Sequence, residues 1–299
     1  MEALRKWIQT IFGLLVNGYW AFPFTRAIYQ GPLKVICAPG LNCYSCPAAT
    51  TSCAIGSLQH LLAGLRLSLE SGQYYFGLYV VGCLGVLGGL FGRMICGWLC
   101  PFGFCQELIH KTPSKKFHIP AILNYLKYGI LLIMVILLPL LAVDKFGAGS
   151  PWFCKYLCPA GTLEAGIPML ILQPNLRDII GTLFYSKLSI LIGFTLWSVF
   201  ASRPFCRTAC PLGAFYALFA KIQVVRLKFH PEKCTACGAC HSVCPMGVKF
   251  NESPEDKECI TCLACMDRAC KVGAISLEVG GLPLCLERGH ARTKHEQAP

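Results

Sequence analysis

The chain has 299 residues, of which 55% are hydrophobic and only 14% charged, whereas an ordinary soluble domain carries roughly 25% charged residues. This balance argues for a membrane protein. The formal charge of +12 does not mark a nucleic-acid binder, because no basic stripe with interleaved aromatics tracks a phosphate backbone. No dinucleotide fingerprint, P-loop or nucleophile elbow is present.

Spanning hydrocarbon takes about 20 mostly apolar residues as a helix, and four stretches are expected to do so: 7–24, 74–95, 121–143 and 183–202. The first follows Arg5 and Lys6 and ends in Tyr19-Trp20-Ala21-Phe22-Pro23-Phe24. It lacks a small-residue cleavage site and reads as an anchor rather than a signal peptide. Next comes a four-cysteine set, Cys37-x5-Cys43-x2-Cys46-x6-Cys53, followed by Leu58, Leu61, Leu62 and Leu65 at helical spacing. The second span contains Cys83, a small apolar side chain by position.

Three copies of C-x3-C-P-x-G then punctuate the chain: Cys96 to Gly103, Cys154 to Gly161 and Cys206 to Gly213, with Cys43-Tyr-Ser-Cys46-Pro47 as a shorter relative. Such recurrence implies a repeated structural unit. After Pro211 the run Leu212 to Lys221 reads as a helix with proline in its first turn, and a helix N-terminus there favours thiolate and anionic cluster alike. The Lys and Arg pattern puts the ends of the second and fourth spans, and the last third of the chain, on the cytoplasmic side. Counting helix ends therefore pairs Cys96 and Cys100 with Cys206 and Cys210 at the cytoplasmic face, four thiolates for one cubane. The same count sends Cys37, Cys43, Cys46, Cys53, Cys154 and Cys158 to the opposite face. There a further cluster and disulfide bonding stay open as alternatives, as does the choice of ligands.

The last third is the most specific. Cys234-Thr-Ala-Cys237-Gly-Ala-Cys240-His-Ser-Val-Cys244-Pro245 matches C-x2-C-x2-C-x3-C-P, in which three thiolates hold one cubane and the fourth reaches its neighbour. The run Cys259-Ile-Thr-Cys262-Leu-Ala-Cys265-Met-Asp-Arg-Ala-Cys270 follows, with four residues before its last cysteine and Lys271 in place of proline. The expected ligand sets are Cys234, Cys237, Cys240 and Cys270 for one cluster, and Cys244, Cys259, Cys262 and Cys265 for the other. Zinc is the competing reading, since paired C-x-x-C also makes tetrahedral thiolate sites. Strands are expected at 224–229 and 274–279. The expected architecture is a membrane domain at 1–222, an all-α bundle of about four transmembrane helices, then an α+β two-cluster [4Fe-4S] ferredoxin-like domain at 223–283 and a polar tail at 284–299. Cys105 and Cys285 have no evident partner.

Together these motifs resemble the NapH/MauN family of membrane ferredoxins, and the C-x3-C-P pairs are similar to those in the membrane part of NosR-type proteins. The resemblance implies an electron-transfer subunit of an oxidoreductase in a prokaryotic cytoplasmic membrane; the Lys and Arg pattern puts the ferredoxin domain and both termini in the cytoplasm. The resemblance further implies separate redox partners, such as flavin, haem or iron–sulfur proteins, and access to quinone. The Cys37–Cys53 set and the motif at 154–158 are additions to that pattern and suggest that electrons also reach the outer face. Two other readings stand beside a relay: a subunit that itself oxidises quinol, and a redox-sensing or assembly factor for a respiratory enzyme.

Overall fold

A computed structural model describes residues 1–72, 75–145 and 148–284; Cys285 and the rest of the expected tail lie outside the described residues. The first expected span is divided. Helix α1 covers Glu2–Val16 and stops at Asn17, whose side-chain amide donates to the Gly13 carbonyl at 3.1 Å. Asn17-Gly18 is a weak helix pair, and after it the chain makes only one more helical turn, Phe22–Thr25. Arg5 and Gln9 are buried on α1, so one side of this helix is polar and faces protein.

The segment 36–53 is not a surface loop. Its two short strands, β1 (Cys37–Ala38) and β2 (Ser52–Cys53), pair in parallel, and its core residues Ala38, Leu41 and Asn42 are at most 2% exposed. Helix α2 (Ala54–Ser71) starts directly after Cys53 and ends at left-handed Gly72, whose N–H caps the Ser68 carbonyl, the usual use of glycine at a helix C-terminus. Helix α3 (Tyr75–Phe91) returns along it, and a Cβ on Gly77 would lie only 3.0 Å from Leu61.

Two short helices, α4 (Met94–Trp98) and α5 (Pro101–His110), follow. Helix α6 covers Ala121–Leu141 with a π-helical stretch at Leu131–Leu137. Helix α7 covers Pro159–Leu172, α8 Thr182–Phe200, α9 Pro204–Thr208 and α10 Pro211–Ala217. Among the described residues only α6 and α8 are long and apolar enough to cross a membrane, with mean hydropathies of 2.1 and 1.5. Of the four expected spans, 121–143 and 183–202 are met by these two helices; α1 breaks at Asn17 and the described part of α3 has 17 residues, about 25 Å of rise.

In the last third β3 (Val225–Phe229) pairs antiparallel with β4 (Ile275–Val279), in register Val225 with Val279 and Phe229 with Ile275, and β5 (Leu282–Leu284) extends the sheet. Leu227 and Ile275 turn inward with Phe250, Leu263 and Met266 to form a small core. A larger core runs continuously from the helices into this unit: Leu84, Phe153, Phe205 and Tyr216 share it with Met246, Val248 and Ile260.

Candidate iron–sulfur sites

In each C-x3-C-P motif the proline opens a helix and the preceding cysteine is its N-cap: Cys100 before α5, Cys158 before α7 and Cys210 before α10. Cys100 Sγ accepts the Gly103 N–H at 3.5 Å. The structure brings Cys96, Cys100, Cys206 and Cys210 into one buried group, each thiol within electrostatic reach of others in the set. Burial pushes the Cys96 thiol up to about 11 despite Arg93 and Arg203 beside it, and that of Cys100 up to about 12. Such sulfurs ionise only when a bound cation replaces the lost water.

Two arginines occupy matched positions three residues before the motifs, Arg93 before Cys96 and Arg203 before Cys206, and each reaches across to the other motif. Arg203 lies 3.1 Å from where a Cβ on Gly103 would stand and donates to the Cys96 carbonyl at 2.7 Å; Arg93 lies 3.5 Å from the corresponding point on Gly213. The x-Gly of the motif is therefore space for a guanidinium. Both arginines are buried and keep orphaned nitrogens, Nε and one terminal nitrogen of Arg93 and one terminal nitrogen of Arg203. Unpaired buried donors beside four thiols fit an anionic thiolate-ligated cluster, since leaving them unmade costs about 1–3 kcal/mol each.

The arginines are balanced by buried carboxylates. Glu107 joins Arg203 at 2.9 Å and Arg5 at 2.7 Å, while Glu258 joins Arg93 at 2.7 Å and also pairs with Lys127. Glu258 belongs to the ferredoxin-like unit, so this second triad ties it to the helices.

Within that unit the two cysteine runs use one local plan. Ala236 and Thr261, each two residues after the first cysteine of its run, have left-handed backbones (φ 52° and 45°), and their N–H groups turn onto Cys234 and Cys259 Sγ. After the last cysteine of each run the N–H four residues on donates to sulfur, Val248 to Cys244 at 3.4 Å and Ala274 to Cys270 at 3.2 Å. Cys270 thus holds the place of Cys244 although its run is one residue longer. A π turn at Cys265–Ala269, opposite the α turn Ala239–Ser242, takes up the extra residue.

Cys244, Cys259, Cys262 and Cys265 lie within mutual reach. Cys240 and Cys270 pack on one apolar cluster, and Cys237 is exposed. No disulfide joins any of the described cysteines. Among the described residues no three His, Cys, Asp or Glu side chains are grouped closely enough to hold a single metal ion.

The two units meet at the cysteines themselves. Trp98, between Cys96 and Cys100, donates its indole N–H to the Thr261 carbonyl at 3.0 Å, between Cys259 and Cys262. A Cβ on neighbouring Gly97 would fall 2.6 Å from the Ile260 oxygen.

Of the cysteines expected at the opposite face, Cys37, Cys46, Cys53 and Cys158 are buried in the protein and Cys43 and Cys154 are half-buried. Cys37 shares a hydrogen bond with Cys83, midway along α3, so Cys83 is more than an apolar filler. A Cβ on Gly40 would lie 3.1 Å from Cys100 Cα. Cys37, Leu41 and Cys53 of the segment 36–53 belong to the same buried core as the helices. Cys43, Cys53, Cys154 and Cys158 come within reach of one another; Cys46 turns to Asn17. Cys105 is exposed on α5.

A 4Fe-4S binding domain family matches three segments, 75–120, 128–169 and 183–230, each carrying one C-x3-C-P motif, and a second 4Fe-4S binding domain family matches 227–250. An uncharacterized protein of Methanocaldococcus jannaschii is 34% identical over 64% of this chain and 74% of its own length. The putative electron transport protein YccM of Escherichia coli is 24% identical over 71% of the chain and 59% of its own, and the methylamine utilization ferredoxin-type protein MauN of Methylobacillus flagellatus is 26% identical over 60% and 58%. The chain belongs to the NapH/MauN family of membrane ferredoxins. As a NapH/MauN-type protein it is an iron–sulfur electron-transfer protein. It spans less than two thirds of YccM and of this MauN. No solved structure matches the chain.

What sequence reasoning missed is two glutamines. Gln106 donates to Cys206 Sγ at 3.1 Å while its oxygen accepts the Phe205 N–H, also at 3.1 Å. Gln59 does the same to Cys154 (3.1 Å) and the Phe153 N–H (2.9 Å). Each stands six residues after an N-cap cysteine, Cys100 or Cys53, a spacing visible in the sequence.

Proposed function

We propose that this chain is a membrane relay in which electrons pass between the ferredoxin-like unit on the cytoplasmic side and the quinone pool or an extracytoplasmic redox partner. Cys234, Cys237, Cys240 and Cys270 would hold one cubane, Cys244, Cys259, Cys262 and Cys265 its neighbour, and Cys96, Cys100, Cys206 and Cys210 a third. When bound, these clusters supply the one-electron chemistry. The protein supplies the rest. Thiolates fix the sites, Arg93 and Arg203 offset their negative charge, Gln106 hydrogen-bonds a ligand sulfur, and the apolar core excludes water.

The single observation that carries the reading is the seating of Gly97-Trp98 on Ile260-Thr261, because it presses a ligand loop of one site against a ligand loop of the next. The test is EPR and iron analysis of protein purified without oxygen. Cys206→Ser should remove one cluster signal, spare the ferredoxin pair and stop electrons reaching any acceptor beyond it. Undiminished transfer in that variant would sink the relay. If deleting the gene left electron flux intact but a partner enzyme lacked its metal, the assembly-factor reading would replace it.

Quinol oxidation by the chain itself has one observation in its favour. A cavity of about 250 Å³ between the units is lined by Glu107 and His110 beside Cys244 and Cys262. His110 Nδ1 faces the Ser198 carbonyl at 3.2 Å, which leaves Nε2 to accept a proton. Inhibitor-sensitive quinol oxidation lost in His110→Ala would establish it.

A further inference from the structure

The cysteines that the sequence reading left unassigned are arranged on the plan of the Cys96–Cys210 site. In that site an N-cap cysteine (Cys100) opens a helix whose Gln106 reaches back to the first cysteine of a C-x3-C pair, Cys206, and to the N–H before it. In the second arrangement Cys53 opens α2, and Gln59 reaches Cys154 and the Phe153 N–H with the same two bonds. Cys53 therefore corresponds to Cys100, Cys154 to Cys206 and Cys158 to Cys210. The fourth corner is Cys43, whose Sγ lies 3.6 Å from where a Cβ on Gly161 would stand, the motif glycine after Cys158; the corresponding point on Gly56 is 3.9 Å from Cys154 Sγ.

The two spare thiols lie at the edge of this group: Cys37 is beside Cys53 but also beside Cys83, and Cys46 is beside Cys43 but donates to Asn17 Oδ1 at 3.7 Å. In place of an arginine, Lys187 from within α8 donates to the Cys154 carbonyl at 3.1 Å and approaches Gly161. Ionisable residues inside an apolar span are costly and seldom idle. Asn42, fully buried, and Thr162 leave side-chain polar atoms without a partner among the described residues.

We propose that Cys43, Cys53, Cys154 and Cys158 hold a further iron–sulfur cluster in the interior of the bundle, and that Cys37 and Cys46 are not its ligands. This rests on the reading above that the buried thiol quartets of this chain hold cubanes. Consecutive backbone amides join it to the site already described: the Leu41 N–H turns to Cys100 and the Asn42 N–H to Cys53. The inserted segment 36–53 thus fills the depth between the ferredoxin side and the far side with a second ligand set.

The test is iron and acid-labile sulfide on the anaerobically purified full chain in detergent, with EPR during stepwise reduction. The unsubstituted protein should carry about sixteen irons, four per cubane; about twelve would overturn the proposal. Cys43→Ser and Cys158→Ser should each lose about four irons while the ferredoxin-unit signals persist, and Cys37→Ser and Cys46→Ser should keep the full complement. Full iron in the first pair, or the same loss in the second, would overturn it. Cys206→Ser run in parallel separates the two readings. Loss there but not in Cys158→Ser removes this site and leaves the relay standing, whereas loss in neither counts against both.

Discussion

The indole of Trp98 and the carbonyl of Thr261, 3.0 Å apart, join two cysteine loops that are distant in sequence. Trp98→Phe keeps an aromatic ring but removes the bond and the pyrrole half of the indole; the bond alone contributes about 1 kcal/mol to the docking of the two units. Iron content should be unchanged. Freeze-quench EPR should show the Cys96–Cys210 signal filling more slowly after the ferredoxin unit is reduced; an unchanged rate would mean that this bond does not set the path.

Gly97 gives a sharper disturbance at the same seam. A methyl group there would meet the Ile260 carbonyl oxygen at 2.6 Å, and neither backbone can yield without moving a ligand cysteine. Gly97→Ala should cost about 1–3 kcal/mol, the usual range for overpacking. Limited proteolysis should then cut between the helices and the ferredoxin-like unit, where the parent protein resists.

Glu107 connects stability to pH. Burial works to raise its carboxyl, but Arg203 and Arg5 outweigh that and hold it below the ordinary carboxylate range. A carboxyl depressed in the folded state contributes stability that is present above its unfolded pKa, about 4.3, and is lost as pH falls through the lower folded value. Glu107→Gln should flatten this acid limb. At neutral pH it should destabilise by about 3–5 kcal/mol, because two buried guanidinium groups lose their counter-charge. Thermal unfolding between about pH 3 and 7 measures both.

Gln106 bears on potential through its amide nitrogen and on structure through its oxygen, which accepts the Phe205 N–H. Its N–H to Cys206 Sγ stabilises the more negative, reduced state, so Gln106→Leu should lower the midpoint of the Cys96–Cys210 site. A difference of about 1 kcal/mol corresponds to about 40 mV for one electron. Redox titration should show this shift with the ferredoxin-unit midpoints unmoved.

The ferredoxin-like half was largely legible because its signals are local: the strands expected at 224–229 and 274–279 form at 225–229 and 275–279. Proline after Cys210 likewise announced the helix start at Pro211, and Pro101 and Pro159 prove to open helices in the same way. The depth of 36–53 was not legible. Hydropathy reports how apolar a segment is and not whether it crosses, so a stretch that turns back among helices reads as a loop. Arg93 and Arg203 counted only as topology markers in the sequence, since nothing in one dimension shows that each crosses to the other's motif glycine.

The π turn at Cys265–Ala269 shows that the number of residues between two ligands is not what the site fixes. An added residue widens one turn and leaves Cys270 capped by the Ala274 N–H as Cys244 is by Val248. Chains of this kind can therefore drift in loop length while the sulfur stays put, and what is held constant is the direction from which a peptide N–H meets it.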